Sequence, residues 1–321
     1  MSLLAVHRLT MHYTTKMGEV HAVDAVSFAI EPGEAIGLVG ESGCGKTSIA
    51  LALLRLLPDN ARFLGGEVLF EGVDLTRIPE EKMRKIRGRG ISMIFQAAMN
   101  SLNPVYRVGD QIIEAIQTHL PIGSKEARRR VAELYELVGL APELMDRYPH
   151  EYSGGMKQRA VIAMALACEP KLIIADEPTT ALDVIVQDRI LRRIDGVRRR
   201  LNMAMMYISH DIAVIAEVSQ RIGVMYAGCL VECADTLTIF KRPAHPYTTA
   251  LMSAFPSIKG EKRKLQALPG EPPNLLRPPS GCRFHPRCPY ATETCVRQVP
   301  DYQEIEPGHF LACWHPQGRG S

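Results

Sequence analysis

No stretch of this 321-residue chain comes near the roughly 20 consecutive apolar residues that a membrane-crossing helix needs. The longest candidate, residues 49–57, is broken by Arg55. A basic-then-apolar leader is missing too, since residues 1–13 alternate like a strand. Charge of one sign is scarce: 38 Lys and Arg against 35 Asp and Glu leave a formal net charge of +3, too little for the footprint of a nucleic-acid binder. The basic clusters at 128–130, 192–193 and 198–200 lie in amphipathic helical patterns and read as solvated helix faces. These absences place the chain in the cytoplasm, with no nucleic acid as partner and any membrane role reached through other subunits. In such a reducing compartment, eight cysteines argue for thiol or metal chemistry rather than a disulfide framework.

What is present is an ordinary folded composition, 46% apolar and 23% charged, long enough for one large domain and a small appendage. Residues 3–13 and 20–39 read as strands, with a turn at 31–34. Residues 66–95 read as further strands and a basic helix, and 97–165 as helical, punctuated by Pro104, Pro121 and Pro149. Strand character returns at 172–175, 204–208 and 223–226, alternating with helices. That alternation predicts an α/β protein with a mostly parallel sheet between helical layers. Residues 256–321 are rich in proline and hold four of the cysteines, which predicts a separately organised C-terminal extension.

Residues 40–47 read Gly-Glu-Ser-Gly-Cys-Gly-Lys-Thr, between an apolar strand at 35–39 and an apolar helix at 47–57. The pattern is a complete P-loop in its required strand–loop–helix setting. Gly40, Gly43 and Gly45 let backbone amides turn inward to form an anion nest at a helix N-terminus. Ser42, Cys44 and Ser48 share the cradle. Lys46 is placed to reach the β- and γ-phosphates, and the Thr47 hydroxyl to ligate Mg²⁺. The apolar strand 172–175 ends in Asp176 and Glu177, one carboxylate for the Mg²⁺ shell and one to orient the attacking water.

Residues 153–158, Ser-Gly-Gly-Met-Lys-Gln, precede that Asp-Glu pair and resemble the signature motif of the ATP-binding cassette (ABC) family. The resemblance runs from residue 3 to about 235. It implies the fold of an ABC nucleotide-binding domain: an α/β P-loop NTPase of mixed sheet core and helical subdomain (about 97–165), over residues 1–235. In that family the signature contacts ATP held by the opposite domain, which assigns Ser153, Gly154, Gly155 and Gln158 to a nucleotide bound across a dimer. Gln96 resembles the family's Q-loop glutamine, which senses Mg²⁺ and the γ-phosphate. Asp183 matches the D-loop and His210 the switch histidine. Tyr13 falls where the family stacks an aromatic ring on adenine. The implied catalytic set is Glu177, His210, Lys46 and Gln96, with ATP and Mg²⁺ as cofactors.

Two further stretches resemble the peptide/nickel branch of the importers. One is residues 96–104, Gln-Ala-Ala-Met-Asn-Ser-Leu-Asn-Pro. The other is the extension over 236–321, including Arg-Pro-Ala-His-Pro-Tyr-Thr at 242–248 and Leu-Pro-Gly at 268–270. The resemblance implies an ATPase subunit energising di- or oligopeptide import from the cytoplasmic face of the membrane. Its implied partners are two transmembrane permease subunits, a second ATPase subunit (a heterodimer in preference to a homodimer) and, indirectly, a solute-binding protein. Nickel, a glycan or another small solute is the alternative cargo, and a soluble non-transport ABC ATPase the alternative class. Such ATPases carry two cassettes or a long coiled coil, which this sequence lacks.

Cys282, Cys288, Cys295 and Cys313 are spaced C-x5-C-x6-C-x17-C, four cysteines in 32 residues. The spacing lacks the close pairs of zinc ribbons and matches no ferredoxin run, so pattern alone leaves the metal open. Similar extensions in dipeptide and oligopeptide ATPases hold a [4Fe–4S] cluster, and the resemblance implies one here. The alternative is zinc, on four cysteines or on three with His285, His309 or His315. Cys44, Cys168, Cys229 and Cys233 read as small buried side chains.

Overall fold

The computed structural model describes residues 2–96, 101–178, 184–253 and 270–318. In chain order the strands are β1 (Leu4–Thr15), β2 (Gly18–Ile30), β3 (Ala35–Val39), β4 (Ala61–Phe70), β5 (Val73–Asp74) and β6 (Ile91–Ile94). They continue as β7 (Leu172–Asp176), β8 (Ala204–Ser209), β9 (Arg221–Tyr226), β10 (Cys229–Asp235), β11 (Gln303–Glu306) and β12 (His309–Leu311). The helices are α1 (Lys46–Leu53), α2 (Glu80–Ile86), α3 (Val108–His119), α4 (Ser124–Val138) and α5 (Gly154–Leu166). After them come α6 (Val184–Leu201), α7 (Ile212–Val218), α8 (Thr236–Lys241), α9 (Pro246–Ser253) and α10 (Glu293–Arg297). They cluster into two compact units.

The first unit is built from residues 4–29 and 36–73 and from the described part of 209–321. Its antiparallel sheet runs β2-β1-β4-β5, with Leu4 opposite Phe70 and Tyr13 opposite Ala61. Its other sheet strands run β11-β12-β10-β9-β3. β3 and β9 are parallel, Ile36 opposite Arg221 and Val39 opposite Val224, and the remaining pairs are antiparallel. All five residues of β3 are buried, as a strand covered on both faces requires. The tail read from sequence as separately organised contributes β11 and β12 to this sheet.

The second unit holds residues 30–35 and the described part of 74–208. β6, β7 and β8 are parallel neighbours, with Ile91 opposite Leu172 and Leu172 opposite Ala204. The apolar strand expected at 172–175 is β7, buried along its length. α4 shows how sequence spacing builds the helical part. Ala127, Val131, Leu134, Tyr135 and Val138 fall on one face and are buried, each large apolar side chain contributing roughly 1.5–3 kcal/mol. The helix stops at Gly139, whose φ of +73° favours a residue without a side chain.

The basic clusters are less uniform than a solvated face. Arg128 and Arg129 are exposed and paired with Asp146 and Glu126. Arg130 donates to the Ala167 carbonyl at 2.7 Å. Arg198 is buried, held by Asp195 and the Gly33 carbonyl. Carbonyl acceptors in reach reward burying a guanidinium that amphipathic spacing alone assigns to water. Among the described residues no helix is long and apolar enough to cross a membrane.

Candidate nucleotide site and cysteine cavity

In the first unit, β3 delivers the chain into the phosphate loop. Gly45 has φ +106°, and a Cβ there would lie 2.1 Å from the Ala22 carbonyl oxygen; at Gly40 a Cβ would lie 2.2 Å from that of Met225. Only glycine lets the loop pass this close to its neighbours. α1 starts at Lys46 with no side-chain cap, so its first N–H groups stand available to an anion. Lys46 is buried and its Nζ donates to the carbonyls of Gly40 at 2.7 Å and Glu41 at 3.0 Å. Its ammonium lies 3.5 Å from the Cys44 sulfur. The cation thus fills its own loop, while Ser42, Gly43 and Thr47 are exposed.

Tyr13 Oη donates to Ser48 Oγ at 3.1 Å, which brings that ring beside the first turn of α1. His210 is exposed, directly after β8. Its neighbour Asp211 caps α7 by accepting from the backbone N–H of Ala213 at 3.0 Å and Val214 at 3.2 Å.

The second unit brings together a different subset. Gln96 Nε2 donates to Glu177 Oε2 at 3.0 Å. Asp176 ends β7 with its carboxyl buried, and Glu177 follows at φ +48°, a region few glutamates occupy. Ser153 caps α5, its Oγ accepting from Met156 N at 3.3 Å, and the exposed Gly154 and half-buried Gly155 open its first turn. Gln158 is buried and donates to the Pro178 carbonyl. Asp183 lies outside the described residues, as do residues 97–100 and 268–269.

Back in the first unit, Cys282, Cys288, Cys295 and Cys313 line one cavity of about 280 Å³ including its mouth, with His245, Phe284, His285, Trp314 and His315. Burial first, and then the other thiols, push Cys313 up to about 12. Among the described residues, the one trio of ligating groups whose donor atoms all come within 4.8 Å of each other is His12, His21 and Asp24. No three of the cavity sulfurs therefore stand that close. His309 does not line the cavity; its Nε2 lies 2.8 Å from Glu232 Oε1, both groups buried. Of the remaining cysteines, Cys44, Cys168 and Cys233 are buried and Cys229 half-buried.

Sequence reasoning missed the polar network around this tail. Glu232 is fully buried and accepts from the N–H of Ala244 at 2.7 Å and His245 at 3.0 Å. Burial alone would raise its pKa, but the bonds from His309 and these amides hold it below the usual range. Burial pushes His245 down to about 4. Arg287 meets the phosphate-loop residue Glu41 through two hydrogen bonds, at 2.8 and 3.1 Å. Arg283 pairs with Asp24 and the Ala227 carbonyl. The one signal available was position: each arginine adjoins a cysteine of the spaced set.

A family model described as ABC transporter matches residues 23–180, and one described as Oligopeptide/dipeptide transporter, C-terminal region, matches residues 231–295. The chain is 49% identical to the "Probable peptide ABC transporter ATP-binding protein y4tR" of Sinorhizobium fredii, covering 97% of this chain and 94% of that protein. It is 44% identical to the oligopeptide transport ATP-binding protein OppD of Escherichia coli, with 98% and 94% covered. Identity to the dipeptide transport ATP-binding protein DppD of the same organism is 43%, with 98% and 97% covered. Among solved structures, the dimeric bacterial ABC transporter cassette MJ0796 is similar with a TM-score of 0.66 at 25% identity, covering 73% of this chain and 98% of its own.

Proposed function

Because this chain belongs to the ATP-binding proteins of the oligopeptide/dipeptide ABC transporters, we propose that it hydrolyses ATP at the cytoplasmic face of the membrane to drive peptide import. The carrying observation is identity of 43–49% along nearly the full length of peptide-transport ATPases, tail included. It works with membrane permease subunits. A second, related ATPase is the preferred partner in a nucleotide-sandwich dimer.

In this reading Lys46 exchanges the Gly40 and Glu41 carbonyls for β- and γ-phosphate oxygens, and the loop amides take the rest of the charge. Thr47, exposed at the head of α1, and Asp176, buried at the end of β7, suit a hard oxygen-seeking cation, with Gln96 beside them in role. Mg²⁺ held by these residues would supply positive charge to offset that of the triphosphate. Glu177 orients the attacking water, held by the Gln96 amide until then. His210 contacts the γ-phosphate and Tyr13 stacks on adenine. Ser153, Gly154, Gly155, Gln158 and Asp183 serve the nucleotide of the opposite subunit.

The cavity fits a metal group by its donor set: four thiols around one enclosed space, where burial raises Cys282, Cys288 and Cys313. The tail's resemblance to those of dipeptide and oligopeptide ATPases favours a [4Fe–4S] cluster on Cys282, Cys288, Cys295 and Cys313, with zinc as the alternative. Such a group, bound only by the folded tail, stabilises it.

The test is anaerobic affinity purification of the chain from native membranes. Recovery with two polytopic subunits and a related ATPase is expected. Recovery with soluble or ribosomal proteins alone would overturn the transport reading.

A further inference from the structure

Glu41 is the one acid among residues 40–47, a carboxylate set in a loop that receives a polyanion. Left alone it would repel the triphosphate and compete for the Lys46 ammonium, whose Nζ already lies 3.0 Å from the Glu41 carbonyl oxygen. It is not left alone. Arg287 Nη1 donates to Glu41 Oε2 at 2.8 Å and Nη2 to Oε1 at 3.1 Å, a fork-to-fork pair of the strongest kind. The Arg287 side chain is 6% exposed and that of Glu41 24%, so water and salt screen the pair weakly.

The same glutamate is held by its backbone. Its N–H donates to Tyr247 Oη at 3.1 Å, and Tyr247 is fully buried against Tyr226 and Phe284, with ring centroids 4.7 and 5.4 Å away. Tyr226 also accepts from Arg287 at 3.3 Å, and the guanidinium lies 5.7 Å from its ring centroid. Carboxylate, N–H and carbonyl of one loop residue are thus fixed by three separate groups. Two of them, Arg287 and Tyr247, come from the C-terminal region, more than 200 positions along the chain.

We infer that Arg287 is a positioning residue for ATP binding, neutralising the acid inside the phosphate loop and tethering that loop to the cysteine-bearing tail. The inference rests on the reading of residues 40–47 as the triphosphate site. It assigns the tail a part in nucleotide affinity, through a side chain one residue from Cys288.

The test is a double-mutant cycle on the full-length, anaerobically purified chain, reading equilibrium binding of Mg²⁺-free ATP. Arg287→Gln is expected to weaken binding about tenfold in the native background and by less than about threefold in the E41Q background. The loss should also shrink as potassium chloride is raised, because the released carboxylate acts through its charge. A packing role would not respond to E41Q or to salt. Equal losses in both backgrounds, or no loss in either, would overturn the inference. If Arg287→Gln fails to fold, Arg287→Lys keeps the charge and loses the fork. It should bind within about threefold of the parent, and a tenfold loss would count against charge neutralisation. Lys46→Ala separates the two readings: unchanged ATP binding there would sink the phosphate-loop assignment, whereas lost binding with a failed cycle would sink only the role of Arg287.

Discussion

The phosphate loop and the cysteine tail belong to one compact unit but are specified in opposite ways. The loop is local: eight consecutive residues, glycines where neighbouring carbonyls leave no room for a Cβ, and a helix start left uncapped. The tail is assembled from side chains scattered between Glu232 and His315, joined by buried hydrogen bonds and a shared cavity. In the proposed reading, backbone geometry would bind phosphate in the first, and side-chain convergence would build a site in the second. Damage to each should therefore leave different marks.

The largest separation comes from Lys46→Ala. Losing the charge-assisted contacts to phosphate should weaken ATP binding roughly a hundredfold, with iron content and melting temperature of the chain unchanged. Loss of both together would mean that the two regions are not separable in this way. Cys288→Ser should do the reverse. Iron falls, the melting temperature drops, and ATP binding declines far less than in Lys46→Ala. Unchanged iron and stability would remove Cys288 from the ligand set.

A smaller effect sits in Glu232. Its folded pKa is depressed, so the stability it contributes is complete above the ordinary glutamate value of about 4.3 and is lost as pH falls below it. Glu232→Gln leaves buried donors partly unanswered and should cost about 2–4 kcal/mol at neutral pH. It should also flatten the fall in melting temperature below that pH. An acid profile identical to the parent would contradict the role given to Glu232.

Legibility followed the same division. Glycine spacing, an apolar strand and a following helix made the phosphate loop readable, because each needs only its immediate neighbours. The Gln96–Glu177 contact joins residues 81 positions apart, yet both were named, Glu177 from the end of an apolar strand and Gln96 from its resemblance to the family's Q-loop. The Arg287–Glu41 pair spans 246 positions, and its one mark in the sequence is that Arg287 adjoins Cys288. Arg198 read as a solvated charge and is buried, because the Gly33 carbonyl that receives it is distant in sequence. His309 read as a candidate ligand and instead serves Glu232. Convergence of four cysteines on one cavity was expected from their number.

The most direct test of peptide import driven by this ATPase is uptake of a labelled peptide in cells whose copy carries Glu177→Gln. ATP binding should persist while hydrolysis and uptake fall by roughly a hundredfold or more, the closed nucleotide-bound dimer accumulating. Peptide uptake at the parental rate, with hydrolysis abolished in the assembled complex, would contradict the account.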